Sequence, residues 1–111
     1  MTTASFTMEG DRITGFTVKG HSGCAEAGAD VVCAAVTSAV RLTECAVNDV
    51  LGLGAAVKVK ERDASITLKL PAKLGPTHES VCQTLMTAFL VHLTDLAEEY
   101  PENLIVLNME V

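Results

Sequence analysis

The sequence predicts an α+β fold, a two-layer sandwich in which a mixed and mostly antiparallel sheet carries two helices on one face. Two observations lead to it: apolar and polar residues alternate in five short segments, and apolar residues recur every three or four positions in two longer ones. The order of these elements is ββαββαβ. At 111 residues the chain is too short for two good cores, so we expect residues 1–111 to form a single domain.

The first two strands are predicted to form a β-hairpin. Phe6 and Met8 alternate with polar residues in the first strand, and Phe16 and Val18 do so in the second. The segment Glu9-Gly10-Asp11 between them contains residue types that favour a turn.

A glycine-containing segment separates this hairpin from the first helix. Residues 20–30 show no periodicity and include Gly20, Gly23 and Gly28, three of the eight glycines of the chain. This composition predicts a mobile loop. Asp30 is the natural N-cap of the helix that follows.

The first helix is predicted to extend for about 20 residues, because apolar residues recur along one face over that length. This stripe consists of Val32, Val36, Ala39, Thr43, Val47 and Val50. Gly52 and Gly54 are expected to end the helix.

A second hairpin follows, in which the Arg62-Asp63 turn separates two alternating strands. Their apolar residues are Val57 and Val59, then Ile66, Leu68 and Leu70. Thr77 is expected to cap the second helix, and Pro101 to end it. The apolar stripe of that helix is Val81, Leu85, Phe89, Leu93, Leu96 and Tyr100. The final strand alternates through Ile105, Leu107, Met109 and Val111.

Charge and hydropathy exclude several classes of protein. The chain has 14 acidic and 8 basic side chains, for a formal net charge of -6, so a direct nucleic-acid partner is not expected. No apolar run approaches the about 20 residues of a membrane span, and no signal peptide is recognised, so we expect a cytoplasmic protein without a membrane partner. The four cysteines are then expected to be reduced thiols.

Cys33 is the candidate nucleophile, because it follows Asp30 by three residues and would lie in the first helical turn, where the helix dipole favours an anion. A thiol of pKa about 8.5 is only about 3% thiolate at neutral pH, and lowering that pKa by about two units requires about 2.7 kcal/mol. A helix terminus supplies about 0.3 to 1 kcal/mol. A second source of stabilisation is therefore needed, and the imidazole of His21 is the candidate.

Other interpretations of this segment remain open. Free cysteines are often buried, so Cys33 could be a small core residue and His21 a solvated one. Asp30 would raise the pKa of a neighbouring thiol unless its carboxylate binds backbone N–H groups or orients His21. A metal site formed by His21, Cys24 and Cys33 is not expected, because their spacing fits no common zinc motif, and no cofactor is expected either.

The residues of this segment resemble the signature of the ribosomal-processing cysteine protease family, Prp, and the resemblance extends over the whole chain. The matching residues are Gly20-His21-Ser22-Gly23, Glu26, Gly28 and Asp30-Val31-Val32-Cys33-Ala34-Ala35. The resemblance implies a homodimeric Cys/His endopeptidase that removes an N-terminal extension from a ribosomal large-subunit protein, the twenty-seventh of that series.

The same resemblance assigns roles to individual residues. Cys33 matches the nucleophile, His21 the general base and Asp30 the acidic residue of the motif. Thr37 stands where relatives usually have serine; it keeps the hydroxyl and shares a helix face with Cys33. Cys24 is a second departure, and a disulfide between it and Cys33 would inactivate the enzyme, although a reducing cytoplasm opposes that reaction.

The implied mechanism is covalent catalysis, with backbone N–H groups stabilising the oxyanion. Gly20, Gly23 and Gly28 would let the backbone of a substrate-binding loop approach a peptide closely. Two alternatives are a non-catalytic ribosome-associated binding module of the same fold and another thiol enzyme, such as an acyl transferase or a redox protein. His78 and His92 are interpreted as structural or solvated, and Cys45 and Cys82 as packing residues of the helices.

Overall fold

The computed structural model describes residues 1–20 and 27–111, with side chains of the second range from residue 31 onward. Its strands are β1 (Thr2–Glu9), β2 (Arg12–Lys19), β3 (Ala56–Lys60), β4 (Ser65–Lys69) and β5 (Leu104–Glu110). Its helices are α1 (Ala27–Glu44), which continues into a π-helical turn (Cys45–Val50), and α2 (Pro76–Glu99). The predicted ββαββαβ order is confirmed.

The strands form one sheet in the order β3-β4-β2-β1-β5. The pairs β1–β2, β2–β4 and β3–β4 are antiparallel, whereas β5 pairs with β1 in parallel. The prediction of a mixed, mostly antiparallel sheet is therefore confirmed. Gly10, at φ +62° in the first turn, has the left-handed backbone that favours glycine there.

Three phenylalanines form the centre of the core. The ring centroids of Phe6 and Phe16, from adjacent strands, are 6.0 Å apart, and Phe89 of α2 lies 5.4 and 4.7 Å from them. The helices add further buried side chains on this same side of the sheet: Val32, Val36 and Val40 of α1, Val47 of the π turn, and Cys82, Met86 and Leu93 of α2. Both helices therefore pack on one face.

The segment Val31–Val50 is long and apolar enough to cross a membrane by length and composition alone. In this structure four of its valines, Val32, Val36, Val40 and Val47, are buried in the core described above. One face of the segment therefore belongs to the core of the sandwich.

The start of α1 differs from the prediction. The helix begins at Ala27, so Asp30 lies inside its first turn and is not its N-cap, and the loop expected over residues 20–30 does not extend through Gly28. Ala27 and Ala29 have high helix propensity, which extends the helix upstream. Cys33 consequently lies in the second turn.

The start of α2 also differs from the prediction. Gly75 is the N-cap and Pro76 the first helical residue, so Thr77 does not cap this helix. Proline has its φ angle fixed near the helical value and needs no N–H partner at that position. The buried face includes Cys82 and Met86, whereas Val81 is 37% exposed.

One packing prediction holds and one is wrong. Cys82 is fully buried, as expected of a packing residue, but Cys45 is exposed. Cys45 lies two residues from each of the buried residues Thr43 and Val47, so it faces the opposite side of the helix.

Candidate active site

Cys33 lies half-buried on α1, next to Val32, which is fully buried in the core. Packing of the valine stripe against the sheet fixes the rotation of the helix and so brings Cys33 to the edge of the accessible surface. A cavity of about 420 Å³ opens there, lined by Cys33, Ala34, Thr37, Ser38 and Arg41. The candidate nucleophile therefore borders a space that a ligand can enter.

A second cavity adjoins the first. It has a volume of about 130 Å³ and is lined by Val36, Thr37, Val40, Arg41 and Ile66. Thr37 and Arg41 line both cavities, which therefore adjoin each other along these two side chains, between Cys33 of α1 and Ile66 of β4. We call the two cavities together the α1–β4 groove. Its apolar end consists of the valine and isoleucine side chains.

Cys33 is present as a disulfide in this structure. Cys45 and Cys82 are free thiols. A sulfur in a disulfide is not a thiolate nucleophile. Cys33 must therefore be reduced before it can attack a carbonyl carbon.

The helix dipole contributes less to Cys33 than the sequence predicted. The dipole effect decreases within the first helical turn, and Cys33 follows that turn because α1 begins at Ala27. The proposed thiolate consequently depends more strongly on an imidazole. His21, Gly23 and Cys24 lie outside the described residues.

Gly20 directly follows β2 and has a conformation that only glycine adopts easily. Its φ is +84°, and a Cβ at this position would lie 2.6 Å from the carbonyl oxygen of Met1. Its N–H donates to the carbonyl of Ala64 at 3.3 Å. Gly20, which directly precedes His21 in the chain, is thus fixed against the sheet.

Of the predicted site residues, the structure brings Cys33 and Thr37 together on one cavity wall. Sequence analysis missed Arg41 and Ile66. Arg41 follows Thr37 by four residues, as Thr37 follows Cys33, so the helical period contained that signal. Ile66 reaches the groove only through the placement of β4 beside α1, which no local pattern predicts.

In the described part of the chain no group of three or more His, Cys, Asp or Glu side chains is placed to hold a metal ion.

Cys82 is a second thiol near the core, and its acidity differs from that of an exposed cysteine. Burial raises the pKa of the Cys82 thiol, and the Glu79 carboxylate raises it further against an opposing effect of Arg12. Cys82 therefore stays protonated at neutral pH and does not act as a nucleophile.

Comparison with known proteins adds sequence and fold relationships. The model of the family described as Cysteine protease Prp matches residues 1–105. The chain is 31% identical over 92 residues to the ribosomal processing cysteine protease Prp of Bacillus subtilis (strain 168). The aligned residues make up 83% of this chain and 82% of that protein.

Two solved structures have similar folds. The crystal structure of SMU.848 from Streptococcus mutans is 28% identical, with a TM-score of 0.87 and coverage of 100% of this chain and 96% of that one. An essential ribosomal processing protease Prp from S. aureus, in complex with a substrate peptide, is 20% identical, with a TM-score of 0.84 and coverage of 97% and 99%.

Proposed function

The chain belongs to the cysteine protease Prp family, and on that premise we propose that it is an endopeptidase that removes the N-terminal extension of a ribosomal large-subunit protein, the twenty-seventh of that series. The observation that carries the proposal is the position of Cys33 on the wall of an accessible groove, within the range that the family model matches. No cofactor is required by this chemistry.

The proposed reaction begins with reduced Cys33. His21 removes the thiol proton, and the thiolate attacks the scissile carbonyl carbon, so that a C–S bond forms and the carbonyl oxygen becomes an oxyanion. Collapse of this intermediate breaks the C–N bond, and the His21 imidazolium protonates the departing amine. Water, deprotonated by His21, then attacks the thioester; the C–S bond breaks, the carboxylate product leaves and the thiol is restored.

Supporting roles fall to residues around these two. Asp30 is proposed to orient the imidazole of His21, and Thr37 to hydrogen-bond within the groove beside Cys33. Gly20, Gly23 and Gly28 are proposed to let backbone N–H groups approach the peptide and its oxyanion.

The α1–β4 groove is proposed to bind the substrate next to the scissile bond. Val36, Val40 and Ile66 offer apolar contacts one helical turn or more from Cys33, which fits an apolar side chain close to the cleavage point. The net charge of -6 favours encounter with a basic ribosomal protein through long-range attraction.

We also propose a homodimer formed through β5. In the described chain β1 is the only neighbour of this strand, so its outer edge is open to a partner. Ile105, Leu107 and Met109 of β5 are 41%, 44% and 53% exposed. Antiparallel pairing of β5 with its copy would satisfy the backbone hydrogen bonds of this edge and place these apolar side chains next to those of the partner strand. The reduced enzyme is proposed to act in the cytoplasm.

A cleavage assay tests the function. After reduction, the wild type, Cys33→Ala and His21→Ala are incubated with a peptide that spans the extension junction, and products are measured by mass spectrometry. We expect cleavage by the wild type and none by either variant. Binding of the peptide by all three proteins without cleavage would instead identify the non-catalytic module, and cleavage by Cys33→Ala would refute the proposed nucleophile.

A further inference from the structure

The face of the sheet opposite the helices is basic, in contrast to the rest of the molecule. Strand register places three rows of side chains on this open face. In order from β5 to β3, the rows are Ile105-Thr3-Lys19-Ser65-Lys60, Leu107-Ser5-Thr17-Thr67-Lys58 and Met109-Thr7-Gly15-Lys69-Ala56.

Positive charge is concentrated at one side of these rows. Lys19, Lys58, Lys60 and Lys69 are four of the eight basic residues in the chain, and all four are exposed. The structure describes every residue of the three rows, and none of them is Asp or Glu. Across the described residues the one ion pair is that of Arg12 with Glu79, so these four lysines have no carboxylate partner there.

The opposite layer carries the negative charge. The described residues of α1, the π-helical turn and α2 include seven acidic residues but only one lysine or arginine, Arg41. The acidic residues are Asp30, Glu44, Asp49, Glu79, Asp95, Glu98 and Glu99. The net charge of -6 therefore averages two layers of opposite character. Glu61 and Asp63 belong to the turn from β3 to β4, which follows Lys60 in the chain.

A shallow cavity lies within the open face. Its volume is about 190 Å³, and Thr7, Thr17, Thr67 and Lys69 contribute to its wall around Gly15. The Thr17 and Thr67 hydroxyls are hydrogen-bonded at 3.0 Å, which places their oxygens side by side. At Gly15 a Cβ would lie 2.4 Å from the carbonyl oxygen of Leu68, so the floor has no room for a side chain.

We propose that this open face binds the phosphodiester backbone of duplex RNA, with one phosphate in the cavity above Gly15. Lysine and threonine side chains are among those that contact phosphate oxygens in nucleic-acid complexes. Neighbouring strands are about 4.8 Å apart, so the four lysines are spread over about 10 to 15 Å of the open face. This spread allows them to contact several successive phosphates of one RNA strand. The proposal does not depend on peptidase activity.

The composition of the face decides between classes of partner. It has no aromatic side chain, so bases cannot stack on it, and recognition of the backbone without sequence preference follows. An acidic peptide would bind more favourably in a groove or along an unpaired strand edge than across a flat face. The expectation of no nucleic-acid partner rested on whole-chain charge, which conceals the separation of the two layers.

Fluorescence anisotropy with a short RNA duplex of mixed sequence tests the proposal. We expect the wild type to bind, with a slope of log affinity against log salt of about -3 to -4 between about 50 and 200 mM salt. Lys58→Ala/Lys60→Ala is expected to weaken binding about tenfold per lysine and reduce the slope by about two. Lys73→Ala, which removes one positive charge outside the three rows, is the control against which the effect per lysine is compared.

Two hydroxyl variants probe the cavity. Thr17→Val should weaken RNA binding while Thr17→Ser does not, because only the valine variant lacks the hydroxyl. Peptide cleavage, which uses the other layer, should be unchanged in the lysine and threonine variants, and this shows that they are folded. If cleavage is absent in the wild type, retained thermal unfolding of the variants supplies the same control.

Four results would overturn the proposal. They are no RNA binding by the wild type at about 50 mM salt, equal weakening by Lys73→Ala, lysine-dependent binding of poly-glutamate in preference to RNA, and lysine-dependent binding of phosphatidylserine vesicles in preference to RNA. Loss of RNA binding in the lysine variants alone supports it.

Discussion

Arg12 of β2 and Glu79 of α2 connect the sheet to the second helix. The Arg12 Nε donates to Glu79 Oε2 at 2.8 Å, and its Nη2 donates to the carbonyl of Pro71 at 2.9 Å. Their side chains are 23% and 31% exposed, and the other carboxylate oxygen, Oε1, is buried without a hydrogen-bond partner. We expect Arg12→Met to destabilise the fold by about 1 to 3 kcal/mol, because it leaves a partly buried carboxylate unpaired.

Urea denaturation measures this effect. Arg12→Met/Glu79→Gln should recover part of the loss, because the double variant removes the unpaired charge. Lys73→Met is the control for loss of a surface cation. Equal unfolding free energies for Arg12→Met and the wild type would contradict the prediction.

The alkaline stability of the protein should depend on Cys82. Its pKa is raised above the ordinary value of a thiol, first by burial and then by Glu79, against an opposing effect of Arg12. Because the thiol is harder to ionise in the folded state than in the unfolded state, its contribution to stability is intact below the unfolded pKa and is lost as the pH rises through the folded pKa. The unfolding free energy should therefore decrease above about pH 8.5.

Comparison with Cys82→Ala isolates this contribution. The alanine variant is less stable at neutral pH because the substitution leaves a cavity. When the unfolding free energy of both proteins is measured at intervals of about one pH unit from about pH 8 to about pH 11, that of the variant should decrease less steeply. Identical slopes for both proteins would show that Cys82 does not contribute.

The disulfide of Cys33 predicts a requirement for a reductant. Purified wild type should cleave its peptide only after treatment with a dithiol, which converts the disulfide to thiols. Cys24→Ser should be active without that treatment, whereas Cys45→Ser, which changes an exposed free cysteine, should keep the requirement. Full activity of the untreated wild type would contradict the prediction.

Thr37 should contribute to turnover through its hydroxyl. Since it lines both cavities of the α1–β4 groove, Thr37→Val should lower kcat/KM about tenfold, which corresponds to one lost hydrogen bond of about 1 to 1.5 kcal/mol. Thr37→Ser should retain activity. Thr84→Val, on the exposed surface of α2, is the matched control; an equal loss there would assign the effect to helix stability.

The sequence predicted those parts of the fold that local patterns determine. Alternation identified every strand, and Gly10 marked the first turn correctly. The predicted N-caps Asp30 and Thr77 were both wrong. The helix propensity of Ala27 and Ala29 moves the start of α1 upstream, and Gly75 and Pro76 set the start of α2. The shared helix face of Cys33 and Thr37 followed from a spacing of four residues.

Long-range placement was not predictable in the same way. Ile66 enters the groove because β4 packs beside α1, and the lysines of β3 and β4 share a face with Lys19 only through strand register. Neither relation is visible in a single stretch of sequence, since register depends on how distant strands pair.

The parallel pairing of β5 with β1 has a consequence for the order of folding. Thr2 is the register partner of Leu104, and the Thr2 N–H donates to the carbonyl of Asn103 at 2.9 Å. Contacts between residues so far apart in sequence form only after the chain between them has closed into a large loop, and this slows folding. During synthesis β1 therefore remains a bare edge, open to mispairing, until its distant partner emerges, and a chaperone that shields this strand would raise the yield of native protein.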